Sequence, residues 1–186
     1  MRLAERMKLI ELDFLLRPAK VMILKDYSLV LPEGRLSVKK GDEVDVPRWL
    51  ASVLISRGIA KPKDEVDVNY INSYHYRERR SSTTSQLVQL PPDFYVTVGD
   101  YIRRLEEQIK VQPSHMLIND RDVSEKNLLE LSQLRLNKII RLAQTDAGDE
   151  ALPNMTPEEA LLYSSIKETI ESWRRYVQGL IGGGGA

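Results

Sequence analysis

The chain has 186 residues, 27 of them basic and 27 acidic, with no cysteine. That length allows one domain or two small ones. Balanced charge excludes attraction of nucleic acid over the whole surface, so any such contact needs a local patch. The missing cysteines exclude disulfides, thiolate metal sites and cysteine catalysis, and fit a reducing cytosol. Apolar residues make up 42% of the chain, yet no run approaches the roughly 20 consecutive apolar residues that cross a bilayer. The charged, interrupted start MRLAERMKLIELDFLLRPAK offers no signal-peptide pattern.

Leu3, Met7, Ile10 and Phe14 recur at helical spacing and predict an amphipathic helix over 2–15, ended by Pro18. VMIL predicts a strand at 21–25, and LPEG at 31–34 a turn. Leu36 and Val38 alternate with polar residues as in a strand, as do Val44 and Val46 beyond the KKGDEV turn. Pro47 opens a helix that Gly58 closes, and the Trp49–Val53 spacing predicts that both side chains face a core. Ile59-Ala60 starts a last short strand, closed by Pro62.

VDVNYINSYHYRERR reads as a helical lead-out with Tyr70, Ile71 and Tyr74 on one side, and SSTTSQ as an exposed linker. Arg77, Arg79 and Arg80 form the best local nucleic-acid patch, with Tyr74 and Tyr76 available to stack on bases and Glu78 weakening the field. The bland alternative is a charged surface helix. Asp93 is a helix cap after Pro91-Pro92, and Phe94, Tyr95, Val98, Tyr101, Ile102 and Leu105 form an apolar side. Pro113 interrupts. His115 to Val123 reads as a loop, with Ser124 capping a long helix at 125–144. Asp146 to Pro153 is a second loop. Thr156, Pro157 and Glu159 form a capping box for a final helix carrying Leu162, Ile166, Ile170, Trp173 and Val177. The glycine tail is expected to be disordered.

The long helix is apolar over more than one stripe: Leu128, Leu129, Leu131, Leu134, Leu136, Ile139, Ile140, Leu142 and Ala143. Such a helix is buried on several sides. The favoured reading is a subunit interface; the alternative is the central helix of a compact monomeric bundle. Arg135, Lys138 and Arg141 recur every three residues. They pair with acids, for which Asp100, Glu125, Glu130 and Glu171 are candidates, or grip a phosphate backbone. The two histidines, His75 and His115, show no metal spacing, and Glu106-Glu107 and Asp120/Asp122 do not make a site. No catalytic, cofactor-binding or metal-binding residues are assigned, and the chain is not read as an enzyme.

Two stretches carry a family resemblance. GRLSVKKGDEVDVPRWLASVLISRGIA at 34–60 resembles the small domain of GINS subunits, and LPPDFYVTVGDYIRRLEEQI at 90–109 with LSQLRLNKIIRLA at 131–143 resembles their helical domain, including its arginine-x-x-lysine element at Arg135 and Lys138. GINS is the replication factor that joins the MCM ring in the replicative helicase assembly. With the β-rich domain first, the resemblance is to the archaeal subunit related to the eukaryotic Psf pair.

The resemblance implies a non-catalytic subunit in a 2:2 heterotetramer with a helix-first GINS partner, contacting the MCM helicase and a RecJ-like or Cdc-type protein. It implies a cytoplasmic, nucleoid-associated protein with no cofactor, no membrane contact and no small-molecule substrate. The expected fold is α+β: a β-rich domain at 1–69, a lead-out helix and linker at 70–90, a helical assembly domain at 91–178 and the tail at 179–186. The expected protein interface comprises Leu128, Leu131, Leu134, Arg135, Lys138, Ile139, Leu142, Trp173 and Tyr176. A small DNA-binding module using Arg77, Arg79 and Arg80 is the alternative.

Overall fold

The computed structural model describes residues 3–31, 34–63, 66–81 and 86–182. It has a β-strand region at 18–62 with flanking helices, followed by an all-α bundle. The chain divides into two compact units, Lys8–Glu65 and Val66–Ala186, with Met1–Met7 grouped with the second. The expected linker residues 82–85 and tail residues 183–186 lie outside the described residues; up to Gly182 the expected tail is helical.

In the first unit, α1 (Leu3–Leu16) leads into β1 (Pro18–Ile23). β1 is the centre of a three-stranded antiparallel sheet, flanked by β4 (Glu43–Pro47) and β5 (Ala60–Pro62). Its register pairs Val21 with Val44 and with Pro62. β2 (Tyr27–Leu31), which lacks a clear pattern in the sequence, pairs with β3 (Gly34–Val38) as a separate two-stranded sheet. Val21 and Ile23, two residues apart, point to one face as strand alternation requires. They are buried with Val38, Val46, Leu50, Ala51, Leu54, Ile59 and Ala60.

α2 (Arg48–Ser56) corrects one expectation: Trp49 and Val53 are 42% and 39% exposed, while Leu50 and Leu54 face the core. Both pairs have helical spacing, but at about 100° per residue they lie on different faces, and the sheet receives the second. The helix ends at Gly58, whose φ of +64° suits a residue without a side chain. Its N–H donates to the Ile55 carbonyl, and that of Ile59 to Leu54.

The second unit contains α3 (Val68–Arg80), α4 (Phe94–Val111), α5 (His115–Ala143), a 3-10 helix (Asp146–Asn154) and α6 (Pro157–Gly182). Asp67 caps α3 by accepting the Tyr70 N–H at 2.8 Å. Asp93 occupies the cap position of α4, but its side chain makes no cap hydrogen bond. The loop expected at 115–123 is helical: Ser114, immediately after Pro113, accepts the Leu117 N–H at 3.2 Å and starts α5. Ser124, the expected cap, is inside that helix and fully buried. The Asp146–Pro153 stretch is also helical, of the 3-10 type.

α5 is the central helix, packed against α3, α4, α6 and the 3-10 helix. One core joins Ile71, Leu90, Phe94, Val98 and Leu131, with Tyr70, Tyr74, Tyr95 and Leu128 packed on it. Tyr74 meets Phe94 edge-on with ring centroids 5.1 Å apart. The other core joins Leu87, Ile139, Leu142, Ala143, Ala151, Met155 and Tyr163. α5 supplies both, which accounts for most of its wide apolar arc within the chain itself; Leu129 stays 61% exposed. The lead-out helix α3 belongs to this bundle, with Ile71 fully buried, and does not stand between domains.

Candidate protein-interaction site

Among the described residues Arg135 is the largest fully buried side chain. Its guanidinium has five N–H donors, and all five are used. Nε and Nη2 grip the two Glu159 oxygens, each at 2.6 Å. Nη1 donates to Glu78 Oε2 at 2.7 Å and to the Val88 carbonyl at 2.8 Å. Nη2 also donates to the Asn154 carbonyl at 2.9 Å. Lys138 completes the set, donating to Glu78 Oε1 at 2.6 Å and to the Gln86 carbonyl at 3.0 Å.

The acids are equally well satisfied. Glu78, 1% exposed, also accepts the Val88 N–H at 3.1 Å. Glu159 accepts the Tyr95 hydroxyl at 2.6 Å and the Thr156 N–H at 3.0 Å, and its own N–H donates to Thr156 Oγ1. The capping box read from the sequence is therefore present, and its acid doubles as the arginine's partner. Burial alone would push the Arg135 guanidinium down. The Glu159 hydrogen bonds, with the charges of Glu159 and Glu78, reverse this and hold it above its ordinary value. Burial raises the Tyr95 hydroxyl, and the Glu159 carboxylate raises it further.

This network fixes residues 86–90. They run without regular structure between α3 and α4, and charged side chains satisfy the backbone of Gln86 and Val88. Leu87 inserts into one core and Leu90 into the other. The arrangement suits holding four helices in register. Nothing in it resembles a nucleophile with its base. An apolar-lined cavity of about 270 Å³ beside it includes Leu136, Ile139 and Leu162. Among the described residues no group of three or more His, Cys, Asp or Glu could hold a metal ion.

The candidate interface residues divide sharply. Leu131, Arg135, Ile139 and Leu142 are 0–2% exposed, so their side chains face the chain's own interior. Leu128 and Leu134 are half-buried, and the Lys138 side chain is 12% exposed. Trp173 and Tyr176 are 64% and 60% exposed. Arg135, Lys138 and Arg141 do not share a face: Arg135 is buried and Arg141 exposed. Each three-residue step lags a full turn by about 60°.

The acids expected to pair with Arg135 also differ. Glu130 meets His75 at 3.2 Å, Glu125 lies 3.6 Å from Arg121, and Asp100 pairs with Arg103. Glu171 is exposed, just past the middle of α6. The actual partners, Glu78 and Glu159, come from two other helices. Glu78 carried a usable signal: it lies seven residues from Ile71, two helical turns along the same buried face.

Arg77, Arg79 and Arg80 are all exposed. The Arg77 guanidinium lies 4.3 Å from the Tyr74 ring centre, and Arg80 donates to the Tyr76 hydroxyl. Glu78, expected to dilute their charge, points the other way into the network. Tyr74 is engaged by the aromatic core, whereas Tyr76 is 57% exposed.

No helix among the described residues is long and apolar enough to cross a membrane. A comparison with curated protein sequences finds no match. The family model described as Sld5, GINS complex protein helical bundle domain, matches residues 65–178. That span takes in α3 to α5, α6 as far as Gln178, the Arg135 network and the pinned segment at 86–90. The chain belongs to the GINS family, a non-catalytic structural module of DNA replication.

Proposed function

We propose that this chain is the archaeal GINS subunit related to the eukaryotic Psf pair. It assembles with a helix-first GINS partner into a 2:2 heterotetramer and links the MCM helicase ring to a RecJ-like or Cdc-type protein at replication forks. The observation that carries this reading is the order of the parts: a β-strand region at 18–62 stands before a bundle matched to the GINS helical domain over 65–178. The exposed Trp173 and Tyr176, with half-buried Leu128 and Leu134 on the bundle, support an assembly role. Aromatic residues of this kind are enriched among the anchors of protein interfaces.

Co-expression with a helix-first GINS subunit, followed by mass determination, tests the proposal. A complex of two plus two chains is expected. A monomer that ignores the partner overturns it.

A second reading, direct DNA contact by Arg77, Arg79 and Arg80, is favoured by the burial of Glu78, which leaves the exposed cluster undiluted. It requires salt-dependent binding of DNA by the isolated chain. Binding that is absent at low salt, or unchanged when the three arginines become alanine, rejects it.

A further inference from the structure

The buried face of α6 does not stop where its covering stops. Tyr163 is buried, and Ile166 and Ile170 pack against the same core. Beyond them Trp173, Tyr176, Val177, Leu180 and Ile181 continue at i, i+3, i+4, i+7 and i+8. At about 100° per residue they prolong the same face. From Glu171 to Ile181, however, every side chain is exposed except half-buried Val177, with Leu180 and Ile181 at 67% and 82%. Trp173 and Tyr176 lean on each other, ring centroids 5.8 Å apart. Helix surface shaped for packing on other helices thus runs past the elements it packs on.

The charge on this stretch selects the occupant. SWRRYVQGLI at 172–181 holds Arg174 and Arg175 and no acid. Arg174 flanks the apolar stripe and donates to the Gln144 carbonyl at the end of α5, where Arg141 is also exposed. Glu168, Glu171 and Arg175 fall on the opposite side of α6 from the stripe, by the same angular count, so Arg174 is the charge beside it. Two copies pairing through this face would bring like charges together with no compensating acid, which costs free energy. A second copy is therefore disfavoured. We infer that the protruding end of α6 docks an amphipathic helix of a different polypeptide, apolar along one face and bordered by carboxylates. This rests on the assembly reading above and assigns it a surface and a partner chemistry.

The test uses the full chain and the helix-first GINS subunit as probe, with dissociation constants measured at low and physiological salt. Trp173→Ala/Tyr176→Ala should weaken the complex on the order of a hundredfold, as loss of aromatic anchors does. Leu180→Ser serves as an independent apolar variant. Arg174→Glu should weaken it roughly tenfold at low salt, with a smaller effect at physiological salt. Thermal unfolding of every variant separates lost binding from lost folding.

Variants that bind like the wild type overturn this inference and leave the assembly reading standing. A wild-type chain that does not bind the probe overturns both. Self-association abolished by Trp173→Ala/Tyr176→Ala would make a second copy the occupant and overturn the inference. So would single-stranded DNA binding abolished by Arg174→Glu, which would make the surface a nucleic-acid site.

Discussion

Arg135 with Lys138 on α5, and Arg174 with Arg175 on α6, look alike in sequence: basic residues set among apolar ones at helical spacing. Their surroundings are opposite. Around Arg135, four segments of the chain converge with two carboxylates and two backbone carbonyls, and exposure falls to 0%. Arg174 donates to the Gln144 carbonyl and Arg175 to the Ser172 hydroxyl, both side chains stay exposed, and Trp173 is 64% exposed. An arginine on an apolar helix thus becomes internal framework or external surface according to what other segments bring to it. A burial pattern read along one helix does not contain that information.

The largest effect should come from breaking the internal site. Arg135→Met leaves Glu78 and Glu159 buried without their common cation, and removing one side of such a pair costs about 3–5 kcal/mol. Urea denaturation measures it; a loss under 1 kcal/mol would mean that the network is dispensable. Arg135→Lys should not rescue it, because a lysine cannot reproduce the two-pronged grip on Glu159.

Gly148→Ala comes next. A Cβ there would lie 2.7 Å from the Leu142 carbonyl oxygen and press into the Tyr163 ring. Overpacking against backbone costs about 1–3 kcal/mol, so the same denaturation assay should show a lower midpoint. An unchanged midpoint would mean that the 3-10 helix moves aside freely.

A smaller effect concerns alkaline pH. Tyr70 is pushed up to about 12, first by its burial, and Tyr95 is raised by burial and then by Glu159. A hydroxyl whose folded pKa exceeds the unfolded one contributes stability that is intact below the unfolded value of 10.0 and is lost as pH rises through the folded value. Midpoints should therefore hold from pH 7 to 9 and decline above 10, with a shallower decline in Tyr95→Phe. A slope for Tyr95→Phe equal to that of the wild type would remove Tyr95 from the account.

The smallest change in stability belongs to the external site. Trp173→Ala and Tyr176→Ala should shift folding by no more than about 0.5 kcal/mol, as exposed substitutions do. A larger loss would show that these rings already pack within the chain and would erase the contrast with Arg135.

Local chemistry was legible in the sequence wherever the deciding atoms lie close together along the chain. Thr156 and Glu159 form their capping box three residues apart. The alternation of Leu36 with Val38 and of Val44 with Val46, and the close of α2 at Gly58, likewise depend on near neighbours. The start of α5 is ambiguous in sequence because both Ser114 and Ser124 precede plausible helices; Pro113 beside Ser114 is the better punctuation. The Trp49–Val53 spacing does not choose a buried face, because either face of α2 could meet the sheet. The partners of Arg135 were illegible for a different reason. Glu78 lies 57 residues away and Glu159 24 residues away, and many acids elsewhere in the chain were equally eligible until the fold chose between them.

Glu159 anchors more than its own helix start. A helix is torsionally stiff, so the roll of α6 about its axis, once pinned where Arg135 clamps that carboxylate, persists along its length. Trp173 lies fourteen residues on, about 21 Å away. The saline heart of the bundle therefore serves as a rudder for the tip. Loosening the clamp would swing the exposed aromatic pair to a new bearing without altering an atom of it, so an association defect could originate at a residue that no partner ever touches.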